Sequence, residues 1–174
     1  AIEINEKAIK RIIDCLDQSQ VKRVIFVSTC SNYGLIEENI TADEEHELKP
    51  ISSYAKSKVN IEKYLLSKKS KAKYTATILR FATAFGLSPR MRFDLTISEF
   101  TRDLFFKEKL VVFDEHTWRP YCHIRDFARL LEVVYFSDKS KVHFEIFNAG
   151  GDNNNFTKQM ILDSITKNID NCNI

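Results

Sequence analysis

Residues 21–29, VKRVIFVST, decide the fold. Val24, Ile25, Phe26 and Val27 run without a polar break. A strand that is apolar on both sides is covered on both faces, as strands of a parallel sheet are. Parallel neighbours need crossover connections, usually helices, and the flanks of this strand supply them. On its N-terminal side, Ile4, Ala8, Ile9, Ile12, Ile13 and Leu16 recur at helical spacing, so residues 3–18 read as a helix. On its C-terminal side, NYGLIEENITADEEHELKP (32–50) is polar, acidic and closed by a proline, which predicts a loop with its acidic run on a solvated surface. Ser52 or Ser53 can then cap a helix over about 53–69. Tyr54, Lys58, Ile61 and Leu65 lie along one stripe of that helix.

The alternation continues to the end of the chain. YTATILRFATAFG (74–86) reads as the next strand, SPR turns the chain, and Asp94 can cap a helix over about 95–108. KLVVF (109–113) is a short strand, RDFARLLEVVYF (125–136) an amphipathic helix, and VHFEIFNAGG (142–151) a strand ending in a glycine turn. Thr157 can cap a last helix, KQMILDSITKNI. The order αβαβαβαβα implies a mostly parallel sheet with helices on its faces. Such sheets bind ligands outside the C-terminal ends of their strands. The informative residues are therefore those that directly follow each strand.

Bulk properties exclude several alternatives. The 174 residues suffice for one domain with a core. A net charge of +2 leaves no electrostatic footprint for nucleic acid. No apolar run approaches about 18 residues, so no membrane span is expected. The first residues, AIEINEKAIKRII, are charged and amphipathic, unlike a secretory signal. Cys15, Cys30, Cys122 and Cys172 form no CxxC pair and have no metal-ligand spacing with the histidines. They read as reduced thiols of a cytoplasmic protein, with no metal site.

Five segments taken in order, RVIFVSTCSNYG, SSYAKSK, TILRFATAFG, RPYCHIRDFARL and FEIFNAGG, resemble the extended short-chain dehydrogenase/reductase superfamily. Within it they look like the NAD-dependent epimerase/dehydratases that act on nucleotide sugars. The likeness covers most of residues 3–165. It implies an α/β fold: a partial Rossmann-like, doubly wound, mostly parallel sheet with part of the small C-terminal substrate domain. Residues 1–86 would be the C-terminal half of the NAD-binding domain and carry the catalytic residues. Residues 87–174 would be the substrate-binding portion, interleaved with the last Rossmann elements.

The resemblance also implies roles. The family's reaction begins by oxidising a sugar hydroxyl, with a base taking the proton while hydride passes to the nicotinamide. Tyr54 matches that base. A tyrosine titrates ordinarily near ~10, too high for a base at neutral pH. A cation held close lowers that value, and Lys58, one helical turn on, is placed to supply it. By resemblance Lys58 also hydrogen-bonds the ribose beside the nicotinamide. Thr29 matches the active-site Ser/Thr that bonds the reacting hydroxyl, while its neighbour Ser28 should point to the opposite face. Tyr54, Lys58, Thr29 and Ala82 would thus border NAD, or NADP.

Thr83 stands at the strand end that passes the sugar. Many relatives have asparagine there, and threonine has a shorter reach. Arg119 matches an arginine on the sugar-nucleotide diphosphate, a task suited to a guanidinium fork. Arg92 and Arg90, in SPRMRFD, are further candidates for the substrate. His123 and Asp126 are expected to cap and hydrogen-bond rather than to catalyse.

The residues after Thr29 narrow the reaction. Relatives that are 4,6-dehydratases carry Asp-Glu there, to eliminate water. Here the positions hold Cys30 and Ser31. Relatives that use a cysteine as acid/base carry it two residues after the Ser/Thr, where this chain has Ser31, so Cys30 reads as structural. What remains is oxidation and re-reduction, as in a 4-epimerase. A reductase or dehydratase of the same family, and a truncated non-catalytic binding or assembly module, stay open.

The family opens with a strand, a GxxGxxG turn and a helix, whose glycines let the backbone approach the cofactor pyrophosphate. The four glycines here, Gly34, Gly86, Gly150 and Gly151, form no such turn. The chain is therefore expected to be part of a longer enzyme, and by itself neither to hold NAD tightly nor to turn over. Relatives dimerise by packing two helices per subunit into a four-helix bundle. In this chain these would be 3–18 and 53–69, with Ile9, Ile12, Ile13, Ile61 and Leu65 supplying apolar surface, some of it turned to the sheet.

Overall fold

A computed structural model describes residues 2–37 and 40–169. The chain forms two compact units, residues 1–81 with 128–149 and residues 82–127 with 150–174. Each unit is described by itself.

The first unit is built on a three-stranded parallel sheet in the order β1 (Arg23–Thr29), β2 (Thr75–Phe81), β5 (Glu145–Ala149). The central strand, β2, is buried along nearly its whole length, whereas β1 and β5 are the outer strands. The predicted helix at 3–18 is present as a π-helical segment, Glu3–Ala8, running into α1 (Ile9–Leu16). Helix α2 (Ser53–Ser67) is capped by the Ser52 hydroxyl, which accepts from the Ala55 amide at 3.1 Å. Ile13 of α1, Ile61 and Leu65 of α2, and Ala76 and Ile78 of β2 form one core cluster. Period 2 along β2 and the turn spacing along α2 thus meet on one face of the sheet. Of the apolar residues expected to serve a helical bundle, Ile13, Ile61 and Leu65 are consumed by this core. Ile4 and Ile12 remain exposed.

The loop before α2 departs from expectation in one respect. Its acidic run does not simply face solvent: the Glu44 carboxylate accepts from the Asn148 amide at 2.6 Å, at the end of β5. Gly34 opens this loop at φ +76°, and a Cβ on it would stand 2.1 Å from the Lys49 carbonyl oxygen. Only glycine fits there.

The predicted strand 74–86 divides. It breaks at Ala82 into β2 and β3 (Thr83–Phe85), which belong to different sheets. In the second unit β3 pairs in parallel with β4 (Trp118–His123), and β4 pairs antiparallel with β6 (Asn155–Thr157). Helices α3 (Thr96–Phe105) and α6 (Lys158–Thr166) pack against this sheet through Phe100, Leu104, Ile161, Leu162 and Tyr121. Thr157 caps α6 as predicted, its hydroxyl accepting from the Met160 amide.

Two expectations fail in this unit. The helix α3 is entered from Leu95 with no side-chain cap, because the Asp94 carboxylate is held by Arg92 instead. KLVVF forms no strand. Its alternation is real, with Leu110 and Val112 turned to the core and Val111 and Phe113 outward. But an apolar period of 2 specifies a half-buried extended segment, not a pairing partner. The strand comes later, at WRPYCH.

Helix α4 (Ile124–Phe136) begins in the second unit and continues in the first, and a short α5 (Lys139–Val142) precedes β5. Among the described residues no helix is long and apolar enough to cross a membrane. No group of three or more His, Cys, Asp or Glu among them could hold a metal ion. Cys15, Cys30 and Cys122 are in no disulfide among the described residues, and Cys172 lies outside them.

Candidate active site

In the first unit the end of β1 and the first two turns of α2 come together. Thr29 ends β1, and its hydroxyl accepts from the Ser31 amide at 3.2 Å, starting the 3-10 turn Cys30–Tyr33. Tyr54 stands in the first turn of α2 and is 44% exposed, so a bound molecule can reach it. Lys58 lies one turn on. Its Nζ donates to the Val27 carbonyl at 2.7 Å and sits 4.8 Å from the centre of the Phe26 ring and 5.7 Å from that of Tyr54. The residues two before and one after Thr29 are thus those that Lys58 and Tyr54 feel. Lys58 bonds Val27, and Cys30 acts electrostatically on the Tyr54 phenol.

The electrostatics differ from the expectation. Burial is the main influence on Tyr54 and pushes its phenol up, with the charge of Cys30 adding to the rise. Burial likewise draws the Lys58 ammonium down, and the Glu62 carboxylate partly opposes this. The expected lowering of Tyr54 by Lys58 is absent, because the ammonium is turned to the Val27 carbonyl rather than to the phenolic oxygen. A lysine on a flexible four-carbon stem can point elsewhere at small cost.

Behind this pair lies a buried charge network that the sequence reading missed. Glu62, two turns past Tyr54, is 1% exposed, and Arg80, near the end of β2, is 3% exposed. Arg80 Nη2 donates to Glu62 Oε2 at 2.8 Å, and its Nε lies 3.2 Å from the same oxygen. Ser28 Oγ donates to Glu62 Oε1, and Asn32 Nδ2 donates to it at 2.7 Å. Arg80 Nη1 donates to the Tyr33 hydroxyl at 2.9 Å and to the Glu44 carbonyl at 3.0 Å. The Tyr33 hydroxyl in turn donates to Asn148 Oδ1 at 2.6 Å. The ends of β1, β2 and β5, the 3-10 turn and α2 are tied together by this chain. Ser28 points away from Thr29, as its place on the strand predicted. The signal in the sequence was Arg80 inside TILRF and Glu62 on the stripe of Tyr54 and Lys58. A charge in a buried strand requires a partner.

The remaining candidates lie in the second unit. Ala82 is buried, and Thr83, half-buried, opens β3 opposite Tyr121 of β4. Thr83, Ser98 and Tyr121 border one small hollow. Arg119 is exposed on β4, opposite Phe156. Arg92 is engaged: its Nε and Nη2 donate to the two Asp94 oxygens at 2.8 and 2.6 Å. Arg90 is exposed. His123 serves local structure: its Nδ1 accepts from the Arg125 amide at 3.2 Å, and its ring meets Phe85 edge-on.

Residues 1–150 match the model of the NAD dependent epimerase/dehydratase family. The chain belongs to that family. It is 28% identical over 148 residues to an uncharacterized UDP-glucose epimerase, YtcB, of Bacillus subtilis, an alignment covering 84% of this chain and 45% of that protein. Its fold is shared with a structure of MoeE5 in complex with UDP-glucuronic acid and NAD. That likeness has a TM-score of 0.84 at 23% identity and covers 95% of this chain and 54% of the other. A dTDP-glucose 4,6-dehydratase of Bacillus anthracis in complex with NAD is similar too, with a TM-score of 0.83 at 21% identity, covering 94% and 51%. These likenesses show the mostly parallel, doubly wound α/β fold. The chain spans about half the length of the relatives it matches.

Proposed function

We propose that this chain is the catalytic half of an NAD-dependent enzyme that epimerises a nucleotide sugar through transient oxidation of a sugar hydroxyl, with Tyr54 as the proton-transferring group. The observation that carries the reading is the set Thr29, Tyr54, Lys58 at the end of β1 and the start of α2, within a chain of this family. Both the epimerase and the dehydratase among the relatives are consistent with that set. Cys30 and Ser31 favour epimerisation, since neither supplies the carboxylate that elimination of water calls for.

The residues present fit the nicotinamide end of NAD. Tyr54 is open to solvent, and Lys58 spends one of its three donors on Val27, leaving others for a ribose hydroxyl. They do not include a cradle for the pyrophosphate: Gly34 and Gly86 serve tight turns at positive φ, and no GxxGxxG occurs. When bound, NAD supplies the hydride acceptor. In this chain Tyr54 would take the proton of the sugar hydroxyl and return it, and Thr29 would hold that hydroxyl. Lys58, swung from the Val27 carbonyl toward the phenol, would favour the phenolate. Arg119 is free of any ion pair with a carboxylate among the described residues and is the better candidate for the diphosphate. Arg92 would first have to leave Asp94. A homodimer in which α1 and α2 meet their copies would cover Ile4 and Ile12.

The experiment is interconversion of UDP-sugar epimers by the protein joined to its nucleotide-binding segment. Tyr54→Phe should lower the rate on the order of 10²–10⁴-fold, the usual worth of a positioned acid/base. Full turnover by the variant overturns the assignment.

A further inference from the structure

The Glu62–Arg80 network lies directly beneath the Tyr54–Lys58 pair, and its chemistry is unusual for a core. Tyr54, Lys58 and Glu62 follow one another at intervals of four residues on α2, so they share one face of the helix. Glu62 accepts from three other elements: Ser28 in β1, Asn32 in the 3-10 turn and Arg80 in β2. We infer that Glu62 is a positioning residue for the Tyr54–Lys58 pair, locking α2 against the end of β1 and keeping a negative charge one turn below the Lys58 ammonium. This rests on the reading of Tyr54 and Lys58 as the working pair.

Three observations support it. First, an apolar pair would serve plain stability as well, since replacing a buried ion pair by well-packed hydrophobic residues is often neutral or stabilising. The full set of partners around Glu62 holds its orientation, which stability alone does not call for. Second, Ser28 and Thr29 are adjacent, so the bond from Ser28 to Glu62 fixes the strand end from which Thr29 faces the other way. Third, the groups that meet Lys58 leave Glu62 as its counter-charge. Phe26 and the Val27 carbonyl face it from β1, Tyr54 precedes it on α2, and Cys30 acts on Tyr54. Arg80, the one cation from β2 in this knot, is spent on Glu62 itself. The carboxylate opposes the effect of burial on Lys58.

The test is NMR titration of the 174-residue chain with ¹³C-labelled lysine, Lys58 being assigned by the signal lost in Lys58→Arg. In Glu62→Gln, which keeps the shape and removes the charge, the Lys58 midpoint should fall below that of the unsubstituted chain. In Glu62→Asp, which keeps the charge, it should stay close to it. A Glu62→Gln chain that is folded and leaves the Lys58 midpoint unchanged overturns the proposal. Should Glu62→Gln fail to fold, the paired replacement Glu62→Leu with Arg80→Met removes both charges, and a smaller fall in midpoint is expected of it, since no unpaired Arg80 is left behind; an unchanged midpoint there overturns the proposal equally. The readout needs neither cofactor nor turnover. If the midpoint moves as expected while Tyr54→Phe leaves epimerisation intact, the proposed function fails, and what stands is the electrostatic hold of Glu62 on Lys58 without a catalytic purpose.

Discussion

Arg80 and Arg92 each hold a carboxylate through two nitrogens, Glu62 in one unit and Asp94 in the other. Their surroundings are opposite. The Arg80–Glu62 side chains are 3% and 2% exposed, the Arg92–Asp94 side chains 62% and 65%. A buried pair is costly to form and costly to break, because either partner left alone is an uncompensated charge away from water. An exposed pair is screened and replaceable by water. The same fork is therefore a structural commitment in the first unit and an optional contact in the second.

The contrast can be broken most directly at Arg80. Arg80→Ala should cost about 3–5 kcal/mol, the usual loss on stranding one member of a buried pair. Chemical denaturation of the chain measures this, and a loss like that of an average surface substitution would remove the distinction drawn above. A smaller effect is expected next door, at Gly34, which follows the Tyr33 that Arg80 holds. Gly34→Ala places a Cβ against the Lys49 carbonyl at positive φ, and should cost about 1–3 kcal/mol. A thermal melt no lower than that of the parent chain would show that the loop relaxes freely.

At the other pole, Arg92→Ala should lower the melting temperature only slightly, because the pair is exposed, while changing one titration. Arg92 holds the Asp94 carboxyl down at about 2, against an ordinary value of 3.8. A lowered acid contributes its stabilisation above pH 3.8 and loses it as pH falls toward 2. In the variant the Asp94 midpoint, followed by NMR, should rise toward the ordinary value. A midpoint that stays near 2 would show that the backbone, not Arg92, sets it.

Much of this arrangement is legible in the sequence. The apolar run 24–27 gave a strand in a parallel sheet, the Ser52–Ser53 pair and Thr157 gave helix starts, and the parity of Ser28 and Thr29 gave their opposite faces. Each is a local property, set by neighbours within a turn or a pleat. Part of what escaped was set at long range. Glu62 and Arg80 are 18 residues apart and Glu44 and Asn148 are 104 apart, so neither contact leaves a periodic trace. Asp94 looked like a cap because Asp suits that place, but Arg92 two residues earlier offered its carboxylate a fork. KLVVF looked like a strand because its alternation is satisfied by burial without pairing. The break at Ala82 could not be read from a continuous run of strand formers.

The outer position of β1 has a consequence for handling the molecule. Among the described residues β1 has one strand neighbour, β2, and Val27 on it is 39% exposed. Lys58 takes up the carbonyl of Val27, and the charges of the strand, absent from 24–27, are confined to Arg23 at its start. An uncovered edge of that composition is a template for pairing with other chains. Kept alone and concentrated, the 174 residues should therefore lose solubility through this strand before they lose their fold, and light scattering should rise with concentration at temperatures well below the melt.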